Sequence, residues 1–544
     1  GFRRVLYSRG AIVGSQERFR LIVTRLVVLL LAAALGSLYI GPAHAHAAGS
    51  RPHACRADTS PSHVAHSVPR SDDQLKARIA DPRPAPKGKQ VPEALGATEE
   101  QGEPSTPDDG GDTPGFSGQS LTFRRLTLED GLSQSSIYCT AQDARGFMWF
   151  GTEDGLNRYD GYEIKAYQHN PDDPHSLSNN WIIHCEADQR NVLWVFTSDG
   201  VVHRYEPETG HFIRYHLEME DPFQRAGQGF TAVHGDEHGG LWIGTFGSGL
   251  LRYNPAGDVF TSYRHDPDDP TTLSHRCVWT IYEDRQGTVW VGTEGGLNRY
   301  DEESDGFFRY PYRDFPPGGY QYDPPVHAYD PAFQPDNPDA MASPAVTQML
   351  EDAQGRLWIG TRYGGLNQLD PGSATFTTYP YDPAREPANP NTFSGNSVHG
   401  LLEDGLGQIW VSSADWNVDE TRTYARLGLE RLDPETRAIT RYQADPEDPC
   451  SLPHDATLLM FEDSQGRLWI HTFGGGVEVY DRARDCFVHY GHDPKDARSL
   501  SGDSITDFFE DEAGGLWIGT AVNGVNLHDP TWAKFPSYRL SAPG

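Results

Sequence analysis

The chain of 544 residues carries 45 Lys plus Arg against 77 Asp plus Glu, a formal charge of −32, which argues against nucleic acid as a partner because a phosphate backbone attracts a basic face. Apolar residues make up only 37%, and 57 Gly and 40 Pro demand abundant turns, so one large helical domain is not expected. The length suits three or four average domains or one long repeat array.

Gly1 stands where an initiator Met is expected, so the sequence reads as part of a longer reading frame. Arg18, Arg20 and Arg25 precede an uncharged, largely apolar run at residues 26–43, and small-residue sites come next at Ala43-His44-Ala45 and Ala45-His46-Ala47. Residues 1–47 therefore read as a secretory signal, with an uncleaved membrane anchor as the alternative because the run approaches spanning length. Either reading places the remainder of the chain in the periplasm or outside the cell, released or tethered to the inner membrane. Residues 48–118 are rich in Pro, Ser, Ala, Asp and Glu and lack apolar periodicity, the composition of a flexible tether. Cys55, Cys139, Cys185, Cys277, Cys450 and Cys486 form no C-x-x-C pair, so thiolate metal sites and thioredoxin-type chemistry are not expected. Cys450 and Cys486 share one repeat, but spacing fixes no pairing, and the reading preferred is unpaired core or loop cysteines.

Residues 119–544 are dominated by an eightfold repeat. Its tryptophans are Trp149, Trp194, Trp242, Trp290, Trp358, Trp410, Trp469 and Trp517, and six residues before each stands an aspartate: Asp143, Asp188, Asp236, Asp284, Asp352, Asp404, Asp463 and Asp511. Successive tryptophans are 45 to 68 residues apart, the spacing of a four-stranded propeller blade. In the fourth repeat, residues 277–283 predict strand A, 284–287 a tight hairpin, 289–293 strand B, 296–300 strand C and 307–310 the outer strand D. Similar outer fragments recur at Phe212, Phe260, Phe376 and Phe487. Fragments at residues 123–126 and 535–538 bring the outer strands to nine for eight A-B-C sets. The preferred solution is a seven-bladed ring closed by residues 123–126, with the eighth repeat opening a second ring; the competitor is one eight-bladed ring with a spare terminal strand.

The run F-R-R-L-T-L-E-D-G-L-S at 123–133, the repeat Q-D-A-R-G-F-M-W-F-G-T-E-D-G-L-N-R-Y-D-G at 142–161 and the linker P-D-D-P-H-S-L-S-N-N at 171–180 resemble the two-component regulator propeller family. Related linkers stand at 267–274, 446–452 and 494–501. The resemblance implies an all-β propeller serving as the extracytoplasmic sensor half of a membrane histidine kinase, with glycan fragments as the familiar ligands. No phosphoacceptor His box, ATP-binding glycine motif or second span is recognised, so the kinase is expected in the full-length protein and not in this chain. A stand-alone secreted scaffold protein is the alternative, and the oligomeric state, dimer included, stays open.

The eight Asp and eight Trp read as scaffold, because they recur where only geometry is shared. If strands A to D alternate, B-C and D-A connections form an upper face, and there the repeats diverge. The expected ligand-binding residues are Asp154, Asp199, Phe246, Glu294, Arg362, Tyr363, Asp415, Trp416, Phe473 and Asn523, with Glu153 in the first of these loops. Insertions at 311–343 and 414–428 also fall on that face. Aromatic planes beside carboxylates and amides suit a glycan or another small molecule. No metal, cofactor or catalytic set is expected. His203, His399, His454 and His471 are the candidate bases of a streptogramin lyase-like alternative, against which lone strand and loop histidines are more often neutral structural residues.

Overall fold

The computed structural model describes residues 121–217, 229–236, 238–310, 312, 340–379, 392–415 and 425–530. The signal and tether, most of both insertions and the fragment at 535–538 lie outside them. Eight four-stranded antiparallel sheets form, and their innermost strands are Cys139–Gln142, Ile182–Ala187, Phe230–Gly235, Val278–Glu283, Val346–Glu351, Ser397–Glu403, Thr457–Glu462 and Ile505–Glu510. These begin blades 1 to 8. In blade 4 the sheet continues outward through Val289–Thr293, Gly296–Asp301 and Gly306–Arg309, close to the expected bounds. The A-B hairpins and C-D turns share the lower face.

One ring of eight blades replaces the preferred count of seven. Blade 7 keeps its own outer strand, Cys486–Tyr490, and Arg124–Leu126 instead becomes the outer strand of blade 8, with Arg124 opposite Leu527 and Leu126 opposite Val525. Ring closure is sealed by a cluster joining blade 8 to blade 1, in which Leu126, Trp517 and Val525 pack with Ile137, Met148 and Phe150. The closing strand performs the task of any other outer strand. Arg125 reaches the Leu500 carbonyl and the Ser499 carbonyl and hydroxyl, as Arg214 and Arg309 hold the connections ahead of their own blades. The chain enters at Arg124 and leaves after His528 side by side on the lower face.

Each repeated aspartate is consumed by its hairpin. Asp284 accepts the amides of Gln286 and Thr288 at 3.0 and 2.9 Å, while its other oxygen accepts the Trp290 indole N–H at 2.8 Å. The indole bond recurs in all eight blades at 2.7 to 3.1 Å. A second lower-face device links neighbouring blades. Glu351, Glu403, Glu462 and Glu510 accept the amides of Arg285, Ala353, Gly405 and Ser464 in the hairpins of the preceding blades. Blades 2 and 3 carry Ala187 and Gly235 at that place. Blade 2 is joined to blade 1 by a Cys139–Cys185 disulfide, and Cys450 bonds Cys486. The expectation of unpaired cysteines is thereby corrected. Radial stacking brings the Cys139 and Cys185 α-carbons within 5.6 Å, a proximity that spacing along the chain does not reveal. In the chain-entropy view, such a closure is worth about 4 kcal/mol.

Blade 2 also differs at strand C. Asn157, Asn298 and Asn526 accept the amides of Ser133, Ser274 and Ser501 across the D-A connections; at the matching place the His203 Nε2 accepts the Ser178 amide at 3.0 Å. Full burial pushes His203 down to about 4. The unfolded chain therefore takes up a proton near pH 6.5 that the folded chain refuses until about 4, so stability falls as pH drops through that window. The His203→Asn variant is expected to keep the latch and remove about 3 kcal/mol of this acid sensitivity. Urea midpoints at pH 7 and pH 4 check it, and an unchanged pH slope would contradict the assignment.

Candidate functional site

The innermost strands share one irregularity in their pairing. In blades 2 to 8 the A-B register shifts across a single residue: Ile183, Thr231, Trp279, Thr347, His399, Leu458 or Thr506. A bulge of this kind re-aims the residue it leaves out of the ladder. In blade 4 that residue is Trp279, which the sequence reading places inside a buried strand and does not name as a binding residue. Beside it the B-C loop is closed by the Thr293 hydroxyl, donating to the Gly296 carbonyl at 2.9 Å, and this positions Glu294.

Three expected residues converge on Trp279. Its indole N–H donates to Glu294 Oε2 at 2.6 Å. Arg362 from blade 5 places its guanidinium 4.5 Å over the indole and meets Glu294 at 3.2 Å. Phe246 from blade 3 packs edge-on at 5.5 Å. Arg362 and Glu294 expose only 16% and 18% of their side chains, so the ion pair is partly desolvated and stronger than a surface pair. Tyr363 follows in the same loop as Arg362. The assembly offers an aromatic plane beside a fixed carboxylate and a guanidinium, suited to stacking a ring and hydrogen-bonding its hydroxyl or acidic groups.

Blade 1 repeats the motif in milder form. Tyr138 donates to Glu153 Oε1 at 2.6 Å, Gln134 reaches the other oxygen at 3.2 Å, and the Trp181 ring lies 6.2 Å from Tyr138. Burial, then the Glu153 carboxylate, raises the Tyr138 hydroxyl well above the ordinary tyrosine range. Both clusters share a signature legible in retrospect, an aromatic five residues before the hairpin Asp with a Glu four residues after the blade Trp.

The other expected residues separate from this group. Asp154 accepts Asn180 Nδ2 at 2.9 Å, and Asp199 accepts the hydroxyls of Thr197 and Ser178 at 2.5 and 3.0 Å; both brace loops. Asn523 leans over Gly502 in the loop of blade 8. Phe473 is 42% exposed on blade 7, its ring 6.3 Å from His454. Asp415 ends strand Ile409–Asp415 opposite Ala425, and Trp416 lies outside the described residues.

The sequence profile of a family described as two component regulator propeller matches residues 131–154, 272–295, 341–363, 451–474 and 499–521. Histidine kinase P4 of Formosa agariphila is 48% identical over 58 residues, 11% of this chain and 4% of that protein. The extracellular domain of a hybrid two component system from B. thetaiotaomicron aligns at 21% identity over 75% of this chain, with a TM-score of 0.43, and this chain spans 42% of its length. The Dos1 propeller aligns at 12% identity over 75% of this chain and 94% of its own, with a TM-score of 0.48.

Proposed function

Because five segments of the ring match the two component regulator propeller profile, we propose that this chain is the extracytoplasmic ligand-sensing part of a two-component signalling protein. The upper mouth binds a glycan fragment or a comparable small polar molecule, and occupancy is passed to a histidine kinase domain of the full-length protein. The observation that carries the reading is the Trp279 cluster, where residues from three blades set an aromatic plane, a carboxylate and a guanidinium at the passage mouth. Two disulfides between described residues and the basic-apolar N-terminal run support an oxidising compartment. A binding role suits the histidines better than catalysis does. His203 and His471 are buried, bonded to the Val195 and Gly476 carbonyls and pushed down to about 4 by burial, and His454 Nδ1 accepts the Ala456 amide.

Thermal-shift titration with a panel of neutral and acidic oligosaccharides tests the reading, since a ligand that binds only the folded chain raises its Tm. Arg362→Ala and Trp279→Ala are each expected to weaken binding at least tenfold, about 1.4 kcal/mol, while the ligand-free Tm moves by only a few degrees. Oligosaccharide binding that survives both substitutions, or none by the native chain, removes the proposal.

A further inference from the structure

Strand C holds the connection entering its blade by accepting one of that connection's amides. Besides Asn157, His203, Asn298 and Asn526, Asn367 accepts the Ala342 amide at 3.0 Å and Glu430 the Ser394 amide at 2.6 Å. Blade 7 cannot repeat the arrangement. The residue after Leu452, where those blades place the amide, is Pro453, and proline has no N–H to give. Strand C still presents an acceptor at that level, Glu478, which is inaccessible to solvent. The two remain neighbours: a side chain on Gly475 would meet both Pro453 Cγ, at 3.0 Å, and Glu478 Oε1, at 3.5 Å.

Deprived of an amide, Glu478 is served from the outer strand. It lies opposite His489 in the C-D register, and its Oε1 accepts from the imidazole Nδ1 at 3.1 Å, while the Thr472 hydroxyl reaches the other oxygen only at 3.5 Å. Among the described residues His489 is the basic side chain that pairs with Glu478. It is half-exposed, so its proton exchanges with solvent although the carboxylate it serves is buried. Asp503, at the entry to blade 8, adds a negative charge to the field at His489. His471, on strand Leu468–Thr472, is bonded to the Gly476 carbonyl and kept neutral by burial down to about pH 4, so it takes no part near neutral pH. The loop carrying Phe473 rests on the same groups. Its Gly475 amide donates to the Thr472 carbonyl at 3.0 Å and its Phe473 amide to the Ala456 carbonyl at 2.9 Å.

We infer that blade 7 carries a proton-operated latch: while the Glu478–His489 pair retains its proton the Phe473 loop stays closed on strand C, and loss of that proton as pH rises opens the loop to hydrate the carboxylate. A buried carboxylate stripped of its counter-charge is strongly unfavourable unless water reaches it, and the contacts of Gly475 with Pro453 and Glu478 are what water must part. Burial raises the Glu478 carboxyl, and the hydrogen bond to Glu478 raises the His489 imidazole. Each group therefore keeps in the folded chain a proton that the unfolded chain has already released, so the latch is made below pH 6.5 and lost as pH rises above it. The two titrate as a pair.

Two measurements test the latch, and neither needs a ligand, so their outcome is independent of the oligosaccharide test. In an NMR titration the imidazole signal that disappears in His489→Gln is expected to titrate above the ordinary histidine range, and to return to it in Glu478→Gln. Hydrogen exchange reads the loop: after correction for the intrinsic rate, protection of residues 473–476 should fall about tenfold from pH 6 to pH 9 in the native chain and stay level in Glu478→Gln. The double variant Pro453→Ser, Glu478→Asn restores the amide and the acceptor of blades 1, 4 and 8, and should keep the loop protected at both pH values. It carries the comparison if Glu478→Gln does not fold. An ordinary His489 titration, native protection that does not change with pH, or the native pH response persisting in either variant overturns the inference.

Discussion

Trp358→Ala is expected to destabilise the propeller by about 4 kcal/mol, within the range for emptying a buried aromatic site. Trp358 is fully buried and packs with Leu366, Tyr379, Phe393, Val398, Ile409 and Val411 across the boundary of blades 5 and 6. Its indole also satisfies Asp352, which is itself inaccessible to solvent, at 2.8 Å. Alanine removes the wedge and strips that oxygen of one partner, although the Arg356 Nε at 2.6 Å remains. Urea unfolding should show a lowered midpoint with the m-value retained. A loss below about 1 kcal/mol would mean that the tryptophan is not a wedge. The contrast with Arg362→Ala, four residues on, separates scaffold from binding face within one blade.

Leu126→Asp is expected to have the second large effect, on ring closure. Leu126 is 2% exposed within the seam between blades 8 and 1 and pairs with Val525. A carboxylate there has no cationic partner among the residues of that cluster, and burying it costs several kcal/mol. It also loosens the strand that covers the edge of blade 8, exposing backbone groups to other chains. Loss of about 4 kcal/mol with concentration-dependent aggregation is the expected result, read by denaturation and light scattering. A variant as stable and monodisperse as the parent would exclude this strand as the closure.

The scaffold was legible because its signals are local. An Asp six residues before a Trp fixes a hairpin amide, a second amide and an indole in one short segment, and eight copies locate every blade. Blade number was not legible, because outer strands such as Arg124–Leu126 are short and pair mainly through backbone atoms, so their composition does not say which blade they complete. For the candidate site, loop divergence singles out Phe246, Glu294 and Arg362, which the structure brings together, whereas Trp279, on which they converge, was hidden. Its flanking Cys277, Val278 and Ile281 describe a core strand, and only the register shift between Val278 and Thr280 turns the indole out of the ladder. Asp154 and Asp199 stand apart from that cluster. They vary among repeats, and each accepts from the connection between blades 1 and 2, Asp154 from the Asn180 amide and Asp199 from the Ser178 hydroxyl.

The seam has a mechanical corollary. Because Arg124 lies opposite Leu527 and Leu126 opposite Val525, the incoming and outgoing chain occupy the same end of one antiparallel ribbon. Tension across those two points would peel the ribbon apart one rung at a time instead of loading its rungs together in shear, making this blade the place where a pulled ring first yields.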